Sequence, residues 1–327
     1  MRAIVQHGYG EPDQVLELRE VPRPTPGDHE ILVRVEAASV NAKDWMEIAG
    51  LPYVFRLALG PSRPRRPVLG ADVAGTVEAV GAGVTRWRPG DEVFGELPRG
   101  TFAEYTVAAE NAVSAKPAGL GFDEAAAMPL AGIAALQGIR AARVEPGHRV
   151  LVNGASGGVG TFAVQIAKAR GAHVTGVCRT DALDLVRSIG ADDVVDHTEE
   201  DFTRHGRSYD RILDLVGSHT LAGYRRALRD GGICVVGTGM TGGKVLGPLP
   251  YLLRAMAAAA RDGTAVTTLN ARPHPEDLEE LARLVDTGRL RPVIHRTHDL
   301  TTLPAALAAQ GPGHARGKTV VRIGSTP

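Results

Sequence analysis

The chain has 327 residues, a length that suits two domains, because a single core rarely grows past about 250 residues. Lysine plus arginine and aspartate plus glutamate balance at 37 each, so no global field attracts nucleic acid or an anionic membrane. A small molecule is therefore the expected partner, with no nucleic acid and no membrane.

The two cysteines, Cys178 and Cys234, lie in apolar strand-like runs, so we expect buried free thiols in a reducing compartment. The first residues lead into a strand without the apolar core of a signal peptide. No apolar run reaches the roughly 20 residues that a membrane helix needs. We therefore expect a soluble, cytoplasmic protein.

Residues 1 to about 120 contain short β-like runs separated by turns rich in proline and glycine. The predicted strands are 2–6, 30–38, 74–80, 92–95 and 102–108. Such spacing is typical of a partly open antiparallel barrel.

From residue 122 the pattern changes to short apolar strands that alternate with helices. The predicted helices are 122–140, 159–169, 183–189 and 221–228, and the predicted strands are 149–153, 173–177, 193–196, 211–215 and 233–236. This alternation is typical of a parallel, doubly wound sheet of the α/β class.

The last part of the chain has a helix, a strand, a helix and a strand, which we predict at 276–287, 291–296, 303–310 and 318–323. Elements that follow a completed sheet most simply rejoin the first domain. We therefore predict one domain of residues 1–121 and 266–327, with a second domain of residues 122–265, the parallel-sheet unit, inserted in it.

The strongest motif is VLVNGASGGVG at 150–160, which follows a predicted strand and opens a predicted helix. In the dinucleotide fingerprint, Ala155 takes the first glycine position, Gly157 the second and Gly160 the third. A plain tight turn is the alternative, which the strand and helix around it disfavour. The predicted cofactor-binding residues of this loop are Ala155, Ser156, Gly157, Gly158, Val159 and Gly160.

The choice between NADPH and NADH is made after the second strand of such a sheet, where an acidic residue would bind the ribose hydroxyl. Here the strand ends GVCRT, and Arg179 and Thr180 suit a 2′-phosphate. Asp181 next to them could neutralise Arg179, and an exposed arginine can also be merely solvated. We predict NADPH, with NADH the less favoured alternative.

Six motifs occur in a fixed order: SVNAKDW, PVLGADVAGTVEAVGAGV, GDEVFG, FAEY, LVNGASGGVG and GKTVV. With them the chain resembles the medium-chain dehydrogenase/reductase superfamily, and within it the zinc-independent quinone oxidoreductase branch. The resemblance implies a GroES-like, partly open β-barrel catalytic domain, a Rossmann domain inserted in it, and a substrate cleft between the two. We also expect a homodimer.

Zinc-dependent members of the superfamily place metal ligands where this chain has Asn41, Ala71, Asp72 and Leu130. Asn41, Ala71 and Leu130 cannot build a site of cysteine and histidine ligands. We therefore predict that the protein binds no zinc and no other catalytic metal. Without a Lewis acid to lower an alcohol's pKa, reduction of an activated acceptor becomes the natural reaction.

The Asn-x-x-Asp element of SVNAKDW resembles that of quinone and enoyl reductases. By this resemblance Asn41 contacts the substrate or nicotinamide, whereas Lys43 and Asp44 anchor the site or relay a proton. Tyr53 matches a pocket tyrosine whose hydroxyl could bond a carbonyl oxygen. The alternatives are a surface ion pair of Lys43 with Asp44, and a core tyrosine with its hydroxyl at the surface.

Further cofactor contacts are expected at the carboxyl ends of the parallel strands, where open α/β sheets bind ligands. These candidates are Val216, Gly217, Thr238 and Gly239. The resemblance adds His197 near the adenosine phosphate, and Gly317 and Lys318 near the cofactor, with exposed turns as the alternative. A helix rich in leucine and alanine at 249–261 could close the pocket or contact a partner subunit.

The predicted function is zinc-independent, NADPH-dependent transfer of a hydride to a quinone or an α,β-unsaturated carbonyl. Three alternatives stay open: an alcohol dehydrogenase, an enoyl reductase acting on a polyketide-type substrate, and a non-catalytic NADPH-binding protein. The lost zinc ligands disfavour the first, and the Asn41 and Asp44 pattern beside the fingerprint disfavours the last.

Overall fold

The computed structural model describes residues 1–204, 206–237, 265–310 and 316–324. Two predicted cofactor contacts, Thr238 and Gly239, lie outside the described residues, as does the predicted helix at 249–261.

The described strands are numbered here in chain order. They are β1 (Arg2–Gln6), β2 (Leu16–Glu20), β3 (Glu30–Val40), β4 (Asp72–Val80), β5 (Glu92–Glu96), β6 (Tyr105–Ala109), β7 (Val113–Ala115), β8 (Arg149–Asn153), β9 (His173–Cys178), β10 (Asp193–Asp196), β11 (Tyr209–Asp214), β12 (Leu228–Gly237), β13 (Ala265–Leu269), β14 (Ile294–Asp299) and β15 (Lys318–Arg322).

The described helices are numbered in the same way. They are α1 (Pro12–Val15), α2 (Ala42–Ala49), α3 (Arg56–Leu59), α4 (Phe122–Ala126), α5 (Pro129–Ala141), α6 (Gly158–Ala169), α7 (Leu183–Ser188), α8 (Leu221–Ala227), α9 (Pro275–Asp286) and α10 (Leu303–Gln310). Short 3₁₀ turns occupy Tyr53–Phe55, Thr180–Ala182 and Leu300–Thr302.

The first sheet has seven strands in the order β14, β15, β3, β4, β5 and β7, with β6 paired to the other part of β3. Its pairs are antiparallel except β14 with β15. The C-terminal strands therefore complete the sheet that the N-terminal strands begin. Alternate residues of β3, including Ile31, Val33 and Val35, point into one buried cluster, as expected for a barrel wall.

The second sheet has six parallel strands in the order β10, β9, β8, β11, β12 and β13. Val150 and Val152 of β8 belong to one core cluster and Leu151 to another, so both faces of the sheet are buried. Such burial suits the doubly wound architecture predicted from the alternating pattern. The predicted boundary between residues 265 and 266 falls at the start of β13, whose hydrogen bonds go to this parallel sheet.

The sequence pattern located most elements but misplaced some. The strands predicted at 2–6, 149–153 and 193–196 have the predicted bounds. The single helix predicted at 122–140 is wrong, because Pro129 lacks a backbone N–H and starts a separate helix, α5. The short elements β2, β7 and α2 were not predicted as strands or a helix.

Two further observations bear on the expectations from composition. Cys178 and Cys234 are both free and buried, as predicted, and burial raises the pKa of the Cys178 thiol to about 11. Among the helices in the described ranges, none is long and apolar enough to span a bilayer.

Candidate active site

The SVNAKDW stretch forms the junction between β3 and α2. Asn41 is the residue before the helix, and its backbone N–H donates to Oδ2 of Asp44 at 2.7 Å. Asp44 is only 2% exposed, so it is not half of a surface ion pair with Lys43. The Lys43 ammonium instead lies 3.4 Å from the carbonyl oxygen of Pro98. The junction is therefore a buried polar centre with a lysine at its edge.

Asp72, the first residue of β4, is the hub of this polar centre. Its side chain is fully buried, and its Oδ2 accepts from the Ser39 hydroxyl at 2.6 Å and from Nδ2 of Asn41 at 2.9 Å. Its Oδ1 accepts from the backbone N–H of Leu130 at 2.9 Å, in the first turn of α5. The positive end of that helix helps to stabilise the buried carboxylate.

Lys318, the first residue of β15, supplies the cation of the centre. Its Nζ lies 2.5 Å from Oδ1 of Asn41 and 3.3 Å from Oδ2 of Asp72. A third contact, at 3.3 Å, goes to the carbonyl oxygen of Val40. The lysine side chain is 2% exposed, so this is a buried ion pair and not a surface one. Asn41, Asp72, Lys318 and Ser39 are called the Asp72 cluster below.

Two carboxyl groups beside the Asp72 cluster have strongly shifted pKa values. Burial, with the charges of Glu47 and Asp72, raises the pKa of Asp44 to about 7, although the bond from the Asn41 backbone opposes the shift. Burial and the charge of Asp72 likewise raise the pKa of Glu96 to about 7, against the opposing effect of two lysines. Carboxyls with pKa values near neutrality are typical of functional sites.

Tyr53 lies apart from this cluster. Its side chain is 47% exposed, in the 3₁₀ turn after α2. The guanidinium of Arg56 lies 4.7 Å from its ring centre and donates to the carbonyl oxygen of Gly50. In the described part of the chain, no hydrogen bond joins Tyr53 to the Asp72 cluster. Its predicted role as a donor to the substrate therefore stays a prediction.

The glycine-rich loop is a tight turn between β8 and α6. Gly154 has φ +84°, a value that favours glycine, so it makes the turn one residue before Ala155, the predicted position. A Cβ at Gly160 would lie 2.0 Å from the carbonyl oxygen of Gly154, so no larger residue fits there. Gly157 precedes the first residue of α6, whose free N–H groups face the loop. Ala155 is buried in the core.

Gly317 joins the glycine-rich loop to the Asp72 cluster. Its N–H donates to the carbonyl oxygen of Ser156 at 2.7 Å, and it forms a parallel bridge with Gly157. A Cβ at Gly158 would lie 3.1 Å from Cδ of Lys318, so the lysine stem packs beside the loop. Lys318 thus packs beside the loop while its ammonium reaches the Asp72 cluster, and its contact with the cofactor stays a prediction.

The end of β9 presents two arginines and one carboxylate. The Arg179 side chain is 56% exposed, and its Nη2 lies 3.6 Å from Oδ2 of Asp181. Arg316 forms a closer ion pair with the same carboxylate. The single negative charge of Asp181 is therefore shared between the two arginines. The hydroxyl of Thr180 lies 3.2 Å from that of Thr198. The Thr198 hydroxyl donates to the carboxylate of Asp196 at 2.7 Å, so a second carboxylate lies beside the two arginines.

The other predicted cofactor contacts lie at the carboxyl ends of β10 and β11. His197 is exposed, and its backbone N–H donates to the carbonyl oxygen of Cys178. The buried carboxylate of Asp214 accepts from the N–H groups of Val216 and Gly217, at 3.0 and 3.1 Å to Oδ1. Val216 is 48% exposed beside the glycine-rich loop, where its Cγ2 would lie 2.9 Å from a Cβ at Gly154.

Sequence reasoning missed Ser39 and Glu96, and treated Asp72 only as a place where a metal ligand would stand. Strand register brings the three together, because Ser39 lies opposite Asp72 in the pair of β3 with β4, and Asp72 lies opposite Glu96 in the pair of β4 with β5. Sequence separation hides such contacts. A polar residue at the end of three neighbouring apolar strands was the one available signal.

Comparison with known proteins places this architecture in a family. Residues 27–118 match the family described as alcohol dehydrogenase GroES-like domain, and residues 189–321 match the one described as zinc-binding dehydrogenase. A mitochondrial NAD(P)H oxidoreductase of Mus musculus is 35% identical, over 90% of this chain and 82% of that protein. The chain belongs to the medium-chain dehydrogenase/reductase superfamily. It is an oxidoreductase, as the sequence predicted.

Two further members of the superfamily cover nearly the whole chain. A chloroplast envelope quinone oxidoreductase homolog of Arabidopsis thaliana is 33% identical, over 98% of both chains. The structure of the quinone oxidoreductase from Coxiella burnetii superposes with a TM-score of 0.85 at 29% identity, and covers 98% of this chain and 99% of that chain. The GroES-like and Rossmann units predicted from the motifs are therefore confirmed.

Proposed function

We propose that this chain is a zinc-independent reductase that transfers a hydride from NADPH to a quinone or an α,β-unsaturated carbonyl. The observation that carries the proposal is the buried ion pair of Lys318 with Asp72, which places a fixed ammonium among the positions where the superfamily's metal ligands would stand. The Arabidopsis and Coxiella relatives, a quinone oxidoreductase homolog and a quinone oxidoreductase, support the quinone part of the acceptor class.

The residues of this centre do not fit zinc. Zinc in proteins takes sulfur, imidazole nitrogen and carboxylate ligands, whereas Asn41, Ala71 and Leu130 offer an amide and two alkyl groups. The ammonium of Lys318, 3.3 Å from Oδ2 of Asp72, would repel a dication at that carboxylate. Within the described ranges, no group of three or more His, Cys, Asp and Glu side chains is placed to hold a metal.

The residues of the loop do fit a dinucleotide. The bare Cα of Gly160 lets α6 approach the turn at Gly154, and the first turn of α6 offers unbonded N–H groups to a pyrophosphate. Arg179, with Asp181 shared by Arg316, supports the assignment of NADPH over NADH. The bound dihydronicotinamide supplies the hydride.

Reduction of an enone also requires a proton at the carbon next to the carbonyl group, and we propose Glu96 as its donor. Its raised pKa, about 7, keeps a large protonated fraction near neutral pH. Glu96 is partly exposed, whereas Asp44 is enclosed and already accepts from the Asn41 backbone. We therefore assign Glu96 as the proton donor and Asp44 as an anchor of the first turn of α2.

We further propose that the protein acts in the cytoplasm as a homodimer. Two buried free thiols support a reducing compartment. Light scattering of the purified protein tests the assembly, because a single chain has a mass of 34.4 kDa and a dimer about twice that value. A monomeric mass would contradict the dimer.

A steady-state screen tests the proposed function. Small quinones, simple enones and enoyl thioesters are each offered with NADPH and with NADH, and cofactor oxidation is followed by absorbance. We expect NADPH oxidation with quinones or enones. Oxidation of a primary or secondary alcohol by NADP⁺, faster than any reduction, would replace the proposal by alcohol dehydrogenation. Tight NADPH binding with no turnover of any acceptor would replace it by a binding protein.

A further inference from the structure

Lys318 is the one residue of the Asp72 cluster that also contacts the glycine-rich loop in the described part of the chain. Its neighbour Gly317 donates to Ser156, and its own Cδ lies against Gly158. Its ammonium then reaches Asn41 at 2.5 Å. Lys318 alone therefore separates the cofactor loop from the Asn41 amide along a path of direct contacts.

Gly317 is confined to this path by its backbone. Its φ of +70° favours glycine, and a Cβ there would lie 2.4 Å from the carbonyl oxygen of Val293. The N–H of Lys318 donates to that same carbonyl group at 2.8 Å. The start of β15 is thus held between Val293 and Ser156, so Lys318 cannot move independently of the loop.

The Asn41 amide is fixed at both ends by oppositely charged groups. Its Oδ1 accepts from the Lys318 ammonium, and its Nδ2 donates to the Asp72 carboxylate. Without the ammonium, the carboxylate of Asp72 would be a buried charge that has lost its cation, a strongly unfavourable state. The amide would also lose the charge that determines which end faces Lys318.

We propose that Lys318 is a positioning residue that couples occupancy of the glycine-rich loop to the orientation of Asn41 and Asp72. This inference rests on the proposed function, in which Asn41 faces the nicotinamide and the acceptor. The ammonium has three N–H donors, and the oxygens of Val40, Asn41 and Asp72 provide an acceptor for each, so Lys318 acts through Asn41 and Asp72. It differs from the cofactor ligand that the resemblance implies for this position.

A set of variants separates these roles. K318M keeps the length of the side chain and removes its charge, D72N removes the opposite charge, and K318M/D72N removes both. The matched control is K168M, which removes the partly exposed ion pair of Lys168 with Asp192 in the nucleotide-binding unit, away from the Asp72 cluster. For each variant, kcat, the KM of the quinone and the Kd of NADPH are measured on the full-length protein.

We expect K318M to lower kcat about 100-fold, because a misplacement of about 1 Å at a reacting centre has that effect. The Kd of NADPH should stay within about threefold of the wild-type value, since no phosphate contact is lost. K318M/D72N should be less impaired than the product of the two single effects, because no unpaired buried charge remains. K168M should match the wild type.

Three outcomes would overturn the inference. A large rise in the Kd of NADPH with an unchanged kcat at saturation would make Lys318 a cofactor ligand. A lower melting temperature with unchanged kcat and KM would make it a purely structural residue. Additive effects in the double variant would likewise show that Lys318 does not act through Asp72.

Hydrogen exchange provides a test that does not depend on turnover. NADPH binding should increase protection of the peptide 39–50 in the wild type and in K168M, and this change should be lost in K318M. If NADPH binding leaves the protection of the peptide 39–50 unchanged in the wild type, the coupling is refuted, whatever the acceptor screen gives. If no acceptor is reduced but the protection change depends on Lys318, the proposed function fails and the coupling stands.

Discussion

The glycine-rich turn and the Asp72 cluster lie side by side, but the first is made of backbone groups and the second of side chains. The turn consists of backbone groups from one continuous stretch, and it works because Gly160 has no side chain to obstruct Gly154. The Asp72 cluster consists of charged and polar side chains from β3, β4, β15 and the residue before α2, and it works because each charge has a partner. The first is sensitive to added volume and the second to lost charge.

The largest effect is expected from added volume in the turn. The variant G160A places a Cβ 2.0 Å from a backbone oxygen that cannot give way, so β8 and α6 must separate. We expect NADPH binding to weaken by at least about 100-fold, measured by isothermal titration, since the pyrophosphate cradle depends on that approach. The control is G119A, where a Cβ meets nothing within 4 Å. Normal NADPH affinity in G160A would show that the turn is not a dinucleotide site.

The next effect concerns the 2′-phosphate. R179A should raise the KM for NADPH about tenfold and leave the KM for NADH nearly unchanged, because only NADPH carries the phosphate that a guanidinium binds. R187A serves as the matched control, since Arg187 is an exposed arginine paired with Asp184 in α7. Equal changes for both cofactors in R179A would remove Arg179 from the phosphate site.

The charged half of the site should also determine the pH profile with an enone. Burial and, after it, the charge of Asp72 raise the pKa of Glu96 to about 7, while Lys43 and Lys318 oppose the shift. The protonated donor is present below that pKa and is lost as the pH rises through it, so kcat should fall above about pH 7. E96Q should lower kcat about tenfold or more and abolish this fall of kcat above about pH 7, which we call the alkaline limb. E92Q, in the same strand, should keep the alkaline limb.

If the limb survives in E96Q, Glu96 is not the proton donor. A limb that disappears instead in D44N would assign the role to Asp44. With quinones, kcat should depend less on pH in every variant, because the reduced oxygen can take its proton from water.

The smallest effect concerns stability. The pKa of Asp44 is raised from 3.8 to about 7, so the folded state binds more protons than the unfolded state between these values. Stability should therefore fall as the pH rises from about 4 to about 7 and then level off, by a few kcal/mol at most, since one pKa unit corresponds to about 1.4 kcal/mol. D44N should reduce this slope in denaturant unfolding at pH 5, 6, 7 and 8.

D184N is the control for this measurement, at an exposed position of α7, and its curves should follow those of the wild type. A D44N slope equal to that of the wild type would contradict the raised pKa of the buried Asp44 carboxyl.

The two halves of the site also differ in how far the sequence predicts them. The turn could be located to within a residue, because its signal is a run of glycines between a strand and a helix. The contacts of Asp72 depend on the register of β3 with β4 and β5, which local patterns do not determine. Lys318 lies 246 positions from Asp72, so its ammonium could be placed only once β15 was known to pair with β3.

The same limit explains the errors in the fold. The apolar pattern predicted five of the six strands of the parallel sheet, whose central strands are buried on both faces, and missed β13. It did not predict α2, whose first turn depends on the bond from the Asn41 backbone to the Asp44 carboxylate. It also extended one helix across Pro129, where α5 begins anew.

We propose that the buried ammonium of Lys318, and no metal ion, holds the active site of this reductase in place. The most direct measurement is the NADPH oxidation rate with a small quinone, on protein dialysed against a strong chelator and analysed for zinc by mass spectrometry. We predict full activity with less than about 0.1 zinc per chain, because the site offers no ligand set for the ion. Activity that vanishes with the chelator and returns on addition of zinc would contradict the claim.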